Sequence, residues 1–224
     1  MRSGNVKESA LRSTDIIQIP VKRRVQKPKA QIVARAELPT SFGKFRIAAI
    51  RGGEAAEEAV AILHGDLART KSPLVRVHSQ CLTGDVFTSQ RCDCRAQLEF
   101  SLRKIANEPA GVVLYLPQEG RGIGLINKIK AYELQDQGFD TVEANRRLGF
   151  AADNRDYDFA AEALKALGLH SVRLLSNNPD KVRQLKKSGI RVTKRVPCRP
   201  PTSRLSRAYL RTKREKLGHL LSGL

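Results

Sequence analysis

A continuous apolar run at residues 111–116 limits the folds open to this chain more than any other feature. The run reads Gly-Val-Val-Leu-Tyr-Leu and carries no charged residue. Such a run is typical of a strand buried on both faces of a sheet. Apolar residues at helix spacing (Leu98, Leu102, Ile105) precede it, and a glycine-rich bend at 120–124 follows it. Helix, strand and helix in this order predict an α/β fold.

The same reading extends along the rest of the chain. Strands are expected at 32–36, 43–51, 74–78, 172–176 and 190–196. Helices are expected to begin at 93, to run from the bend at 120–124 to Gly138, from Asp153 to Gly168, and from the Ser-Asn-Asn-Pro at 176–179 to Gly189. Residues 55–63 fit either a helix or a strand. The pattern predicts a mixed sheet flanked by helices.

The positive charge of the chain is concentrated at its two ends. The net charge is +19, of which residues 1–36 carry +7 and residues 191–224 carry +9. We therefore expect a basic, disordered extension at 1–30, a catalytic domain at 31–205 and a basic C-terminal helix at 206–224. Basic ends allow nonspecific contact with polyanions. Nucleic-acid binding as the main function is disfavoured, because the chain has no Trp and few aromatic residues on which bases could stack.

Three of the four cysteines lie close together in sequence, at Cys81, Cys92 and Cys94. Two readings are open: small buried residues that cluster by chance, or a three-thiolate pocket for a soft divalent ion with one open coordination position. The N-terminus has no apolar secretory stretch and no run is long enough to cross a membrane, so clustered thiols predict a reducing, cytoplasmic setting.

Several ordered motifs carry a family resemblance. They are Arg76-Val77-His78-Ser79-Gln80-Cys81, then Arg91-Cys92-Asp93-Cys94, Gln118-Glu119-Gly120-Arg121-Gly122, the segments at 134–145 and 148–153, and the ending Lys216-Leu217-Gly218-His219-Leu220-Leu221. Over about residues 30–222 the chain closely resembles GTP cyclohydrolase II. The resemblance implies one Zn²⁺ per subunit on Cys81, Cys92 and Cys94, and a homodimer. It also implies hydrolysis of GTP at guanine C8 with release of formate and pyrophosphate, the first step of riboflavin biosynthesis. Whether Mg²⁺ assists at the triphosphate is left open.

The resemblance assigns roles to further residues. Asp153 would be the proton acceptor, although its local sequence also fits a helix N-cap. Arg155 would be either a nucleophile toward the α-phosphorus or a clamp on the phosphates, since an arginine keeps its charge. Tyr132 would help to position the attacked carbon or the water. The residues expected to contact GTP are Arg76, Val77, His78, Ser79, Gln80, Gln97, Glu119, Gly120, Arg121, Thr141, Ser176 and Lys181.

Two of these assignments have specific content. Glu119 would accept hydrogen bonds from the guanine N1 and N2 groups. His78 fits either a phosphate contact or a satisfied core histidine. The remaining histidines, His219 among them, and Cys198 have no site argument and are expected to be structural.

Four positions depart from the family pattern. Gln80 replaces a usual glutamate, Thr88 and Gln90 stand where glycine and an apolar residue are common, and Arg95 replaces a glycine. If Gln80 and Arg95 lie near the metal, they make its surroundings more positive. Two alternatives to the leading function follow: a variant cyclohydrolase that stops at the formamide stage or serves another pathway, and a catalytically weak nucleotide- or RNA-binding protein.

Overall fold

A single seven-stranded mixed sheet organises the protein, seen in a computed structural model that describes residues 30–52, 57–201 and 207–220. The strands are β1 (Gln31–Thr40), β2 (Gly43–Arg51), β3 (Glu58–Gly65), β4 (Leu74–Ser79), β5 (Ala110–Leu116), β6 (Ser171–Leu175) and β7 (Arg191–Val196). Their order in the sheet is β1-β2-β3-β5-β4-β6-β7. The pairs from β1 to β5 are antiparallel, and those from β5 to β7 are parallel.

Helices cover both faces of this sheet. They are α1 (Leu82–Asp85), α2 (Cys94–Ala106), α3 (Gly124–Asp136), α4 (Thr141–Arg147), α5 (Asp158–Ala166), α6 (Pro179–Lys187) and α7 (Arg207–Leu217), with a 3₁₀ turn at Glu119–Gly122. Leu102 and Ile105 of α2 pack on one face, and Leu164 of α5 with Leu185 of α6 packs on the other. The predicted α/β fold with a mixed sheet is confirmed.

The apolar run becomes the central strand β5, whose residues are almost all buried. Gly111 is required there because a Cβ at this position would lie 2.6 Å from the carbonyl oxygen of Leu74 and 2.9 Å from Ile105 Cγ2. Because Gly111 has no Cβ, α2 can approach the sheet closely. The helical stripe, the β1–β2 hairpin and the strands at 74–79 and 171–175 also agree with the sequence reading. The segment at 55–63 was left open between helix and strand, and its residues from Glu58 onward belong to β3.

One predicted helix boundary is wrong. The helix expected from Asp153 begins at Asp158, and Tyr157 is its N-cap. The intervening backbone is held by tertiary partners: Asn154 N–H donates to the carbonyl of Arg121, and Tyr157 N–H donates to Gln184 Oε1. Asp153 is therefore not a helix N-cap. Its carboxylate bonds locally to Arg155, a habit of aspartate that competes with helix formation.

The structure also contains two short helices that the sequence reading missed, α1 and α4. Helix α4 opens with a capping box in which Asp140 and Glu143 satisfy each other's backbone N–H groups. The C-terminal helix predicted at 206–224 is present as α7 but ends at Leu217, since the described residues 218–220 are not helical. The extension predicted at 1–30 lies outside the described residues except for Ala30, which is buried. Within the described ranges, no helix is long and apolar enough to cross a membrane.

Candidate functional site

The candidate site lies at the carboxyl ends of the parallel strands, where α/β sheets place their ligands. Strand β4 ends two residues before Cys81, β5 ends three residues before Glu119, and β6 ends just before Ser176. These three strands are neighbours in the sheet. Their following loops therefore meet around one pocket.

The three clustered thiols face one another at one end of this pocket. The Sγ atoms of Cys81, Cys92 and Cys94 all lie within 4.8 Å of one another, and those of Cys81 and Cys92 are 3.6 Å apart. Two thiolates bound to one tetrahedral zinc at about 2.3 Å are separated by about 3.8 Å. Among the described residues no fourth histidine, cysteine or acidic side chain joins the group. The donor set therefore fits a soft divalent ion with an open position.

The packing around the thiols supports this fit. A Cβ added at Gly84 would lie 2.8 Å from Cys92 Sγ and 3.1 Å from Cys81 Sγ, so a glycine is needed to let the sulfurs converge. Lys128 Nζ lies 3.2 Å from Cys81 Sγ. Hydrogen bonds from the Cys92 and Cys94 thiols, with help from Lys128, hold the pKa of Cys81 well below its usual value. The same sharing raises the pKa of Cys92 to about 11.

Glu119 connects the segment that follows Cys81 to the rest of the pocket. Its Oε1 accepts from Lys128 Nζ at 2.6 Å and from Gly120 N–H at 3.0 Å, and its Oε2 accepts from Leu82 N–H at 2.6 Å. The carboxylate is buried and already anchors helix α1. An ionised carboxylate has about four acceptor sites, so one remains on Oε2 for a ligand donor.

The opposite end of the pocket is cationic. Lys181 lies in the first turn of α6, is buried, and donates to the carbonyl of Val77 at 2.7 Å. Burial lowers the pKa of Lys181 well below its usual value, and the charges of Arg76 and Arg155 lower it further. Arg76, also buried, donates to Gln97 Oε1 at 2.5 Å. A buried lysine whose pKa is lowered by two neighbouring arginines lies in surroundings that favour a bound anion.

Asp153 and Arg155 form an ion pair beside these cations. Arg155 Nε and Nη2 donate to the two oxygens of Asp153 at 2.8 and 2.5 Å. Burial acts to raise the pKa of Asp153, but the bonds and charge of Arg155 hold it below its usual value. Asp153 is therefore ionised at neutral pH, as a proton acceptor must be.

Tyr132 stands over the metal end of the pocket. Its hydroxyl lies 3.0 Å from Thr83 Oγ1, and the guanidinium of Arg91 lies over its ring at 4.9 Å. Thr141 is the first residue of α4 and lines the pocket, as does the buried Ser176. His78 also lines the pocket, but its Nε2–H donates to the Asp85 carboxylate at 3.1 Å. Burial lowers the pKa of His78, so its ring is neutral.

The pocket brings together most of the residues singled out from the sequence, but two of them do not line it. Val77 is fully buried in the hydrophobic core and presents only its carbonyl, which is used by Lys181. Asp153 contributes through Arg155. The others form the pocket wall: Arg76, His78, Ser79, Gln80, Cys81, Cys92, Cys94, Gln97, Glu119, Gly120, Arg121, Tyr132, Thr141, Arg155, Ser176 and Lys181.

Sequence reasoning missed several pocket residues. Lys128 could have been found from its place on α3 four residues before Tyr132, since residues at this spacing share a helix face. Asn145, Lys213 and His219 also line the pocket, although His219 was expected to be structural. No local sequence signal connects Lys213 of α7 to Asp93, its partner 120 residues earlier in the chain.

The four unusual positions have different surroundings. Gln80 lines the pocket, but Arg95 is half exposed and spends its guanidinium on Glu99 Oε1 at 2.8 Å and on the carbonyl of Asp85. Arg95 is thus not among the residues that line the pocket. Thr88 has a φ of 58°, a left-handed conformation that explains why glycine suits this position. Nothing in the structure explains Gln90, which is exposed.

Fold and site together define a class: an α/β protein in which three convergent thiols that could hold a metal ion open into a pocket lined by cations. The model of the GTP cyclohydrolase II family matches residues 30–197. The chain belongs to the GTP cyclohydrolase II family.

Similar proteins fall into two groups. The GTP cyclohydrolase-2 of Picrophilus torridus is 48% identical over 85% of this chain and 98% of its own length. That of Histophilus somni strain 2336 is 50% identical over 86% of this chain and 89% of its own length. The riboflavin biosynthesis protein RibBA of Bacillus cereus is 52% identical over 84% of this chain, which spans only 48% of that relative.

Among solved structures, RibBX, a two domain 3,4-dihydroxy-2-butanone 4-phosphate synthase from A. baumannii, is 16% identical with a TM-score of 0.37. The match covers 66% of this chain and 34% of that one. This likeness is too remote to carry an argument.

Proposed function

We propose that this protein hydrolyses GTP at guanine C8 in a zinc-dependent reaction that releases formate and pyrophosphate. The product would be 2,5-diamino-6-(5-phosphoribosylamino)pyrimidin-4(3H)-one, and the reaction would be the first step of riboflavin biosynthesis. One observation supports the proposal for this member of the family. Three convergent thiols and a cluster of arginine and lysine side chains that could bind phosphates line the same pocket.

Cys81, Cys92 and Cys94 would hold the zinc ion. When bound, it would supply a hydroxide nucleophile near neutral pH, because a divalent zinc lowers the pKa of water by many units. Lys128 balances part of the thiolate charge from 3.2 Å. Tyr132, held by Thr83, would position the imidazole ring of guanine over this end of the pocket.

Glu119 and the cations would fix the two ends of the substrate. The acceptor site left on Glu119 Oε2 would take a donor from the guanine edge, while Lys128 and Leu82 keep the carboxylate in place. Arg76, Arg121 and Lys181, with Ser176, would bind the triphosphate. An anion here would raise the pKa of Lys181 again, against the lowering by burial and the neighbouring arginines.

Asp153 and Arg155 would act as a unit. The ionised carboxylate would accept the proton released as water adds to the ring, and Arg155 would clamp the phosphates. We assign Arg155 the clamp because its guanidinium is already bound to Asp153 through two nitrogens and stays charged. Family resemblance also leads us to expect a homodimer, which analytical ultracentrifugation would test.

The test is incubation of zinc-loaded protein with GTP and Mg²⁺, with formate and pyrophosphate measured separately and product mass recorded. We expect equal amounts of both. A product that retains the formyl carbon would indicate the formamide variant. A fully zinc-loaded protein that yields neither product would refute the proposal, and RNA binding that survives Cys92→Ser would then favour the binding-protein alternative.

A further inference from the structure

The C-terminal segment reaches into the pocket from beyond the residues that the family model matches. The family match ends at residue 197, yet Lys213 of α7 and His219 beyond it both line the pocket. The side chain of Lys213 is only 10% exposed, and Leu210 on the same helix is buried against the protein. The segment is therefore packed on the site and not only near it.

Three separate contacts fasten this segment, each beside a residue already placed in the site. Lys213 Nζ donates to Asp93 Oδ1 at 2.7 Å, and Asp93 lies between Cys92 and Cys94 in the sequence. Lys216 forms ion pairs with Asp140 and Glu143, at the start of the helix that begins with Thr141. Leu220 N–H donates to the carbonyl of Asn177, next to Ser176, at 2.9 Å. One segment thus spans the metal loop, α4 and the loop after β6.

The contact at Asp93 also connects to the phosphate end of the pocket. Asp93 accepts from Gln97 Nε2, and Gln97 Oε1 accepts from Arg76 Nη2 at 2.5 Å. Lys213 is therefore one end of a buried chain of hydrogen bonds that runs from α7 to a cation of the pocket wall. Charge-assisted bonds of this kind are among the stronger contacts in a protein.

His219 is the second residue of the C-terminal segment that lines the pocket. Its backbone N–H donates to the carbonyl of Lys213 at 3.1 Å, and the residue lines the pocket together with Arg121, Arg155 and Lys181. Burial lowers the pKa of His219 to about 3, and the charges of Lys213, Arg155, Lys181 and Arg121 add to the effect. A neutral imidazole amid four cations is placed to donate a hydrogen bond to an anion that binds among them.

We propose that the C-terminal segment completes the substrate site, with Lys213 and His219 as binding residues for the phosphate groups of a nucleoside triphosphate. The proposal rests on the function proposed above. It adds two residues of the C-terminal segment to the pocket cations Arg76, Arg121 and Lys181 as phosphate contacts. The segment then holds the nucleotide between α7 and the sheet edge.

The experiment is calorimetric titration of the zinc-loaded full chain with a nonhydrolysable α,β-methylene analogue of GTP and, separately, with guanosine. Lys213→Met should weaken the triphosphate analogue about ten- to hundredfold, the loss of one contact to a charged group, and guanosine less than threefold. Lys213→Arg should restore most of the affinity. Arg211→Met is the matched control, because Arg211 is an exposed cation on the same helix; it should change neither titration more than threefold.

Equal losses for both ligands would indicate a purely structural role and overturn the proposal, as would an Arg211→Met effect equal to that of Lys213→Met. If Lys213→Met does not fold, His219→Leu decides on the same criterion. Formate release by the parent chain separates the two claims. A parent that releases formate, with a Lys213→Met variant that binds the analogue normally, refutes only this inference. A parent that binds the analogue through Lys213 but releases no formate refutes only the proposed reaction.

Discussion

A methyl group added at Gly84 should weaken zinc binding while leaving the fold intact. In Gly84→Ala the new Cβ would lie 2.8 Å from Cys92 Sγ and 3.1 Å from both Cys81 Sγ and Cys94 Cβ. An ordinary carbon–sulfur contact is roughly 1 Å longer than the first of these, because favourable carbon contacts already require about 3.5–4.0 Å. Cys92 Sγ must therefore move by a distance several times the tolerance of about 0.2 Å in metal–ligand bond lengths.

The expected size follows from two opposing effects. Overpacking of a core typically costs about 1–3 kcal/mol. In the metal-free protein the cost is relieved, since the thiol can rotate and alanine is preferred over glycine in a helix by about 1 kcal/mol. In the metal-bound protein the sulfurs cannot rotate away, and the cost falls on metal affinity. We expect zinc affinity to fall roughly ten- to hundredfold, or about 1.4–2.7 kcal/mol.

Competition with a chromophoric chelator would give the zinc dissociation constant, and thermal melts with and without zinc would give the stabilisation by metal. We expect the metal-free melting temperature to change by only a few degrees, while the increase on adding zinc shrinks. Unchanged zinc affinity in Gly84→Ala would refute the assignment, because the three sulfurs could not then be bound in the arrangement described.

Three further predictions concern other residues. Cys92→Ser should lose stoichiometric zinc, measured by elemental analysis, whereas Cys198→Ser, a buried cysteine outside the cluster, should retain one zinc per chain; zinc loss in both would contradict the site. Asp153→Asn should slow formate release by roughly 10²–10⁴-fold. The pKa of the Asp153 carboxyl should lie below the unfolded value of about 3.9. The carboxylate therefore stabilises the fold above that pH, and this contribution is lost only in more acidic solution. An NMR titration midpoint above pH 5 would contradict the ion pair. Thr88→Gly should stabilise the protein by about 0.5–1 kcal/mol in urea unfolding, since it relieves a left-handed conformation, whereas Gln90→Gly, without such strain, should destabilise it; a loss in Thr88→Gly would contradict the backbone argument.

Local periodicity accounts for much of the fold. The apolar run at β5 is a strong signal because almost every residue of that strand is buried, and the stripe on α2 is one because Leu102 and Ile105 pack on the sheet. The start of α5 could not be read in this way. Its upstream backbone is satisfied by Arg121 and Gln184, which are distant in sequence, so local propensity does not decide where the helix begins.

The site residues also differ in whether local sequence could predict them. The three thiols are separated by few residues, and their spacing left a metal pocket with an open position as one of two interpretations. Lys128 and Glu119 meet across the bend at 120–124, and their pairing depends on positive φ angles at Gly120 and Arg121 that no simple motif encodes. The entry of Lys213 into the pocket is a tertiary contact with Asp93 across 120 residues. Charge patterning alone gave only a basic terminal helix.

The most direct test of the central claim is proton NMR of GTP incubated with the metal-free chain, the zinc-loaded chain and the Cys92→Ser variant. The guanine H8 resonance and the formate resonance report on the same carbon before and after the reaction. We predict that H8 is replaced by an equal amount of formate only with the zinc-loaded parent chain. Formate release that persists in the metal-free chain or in Cys92→Ser, or an H8 signal that the zinc-loaded chain leaves unchanged, would contradict the account.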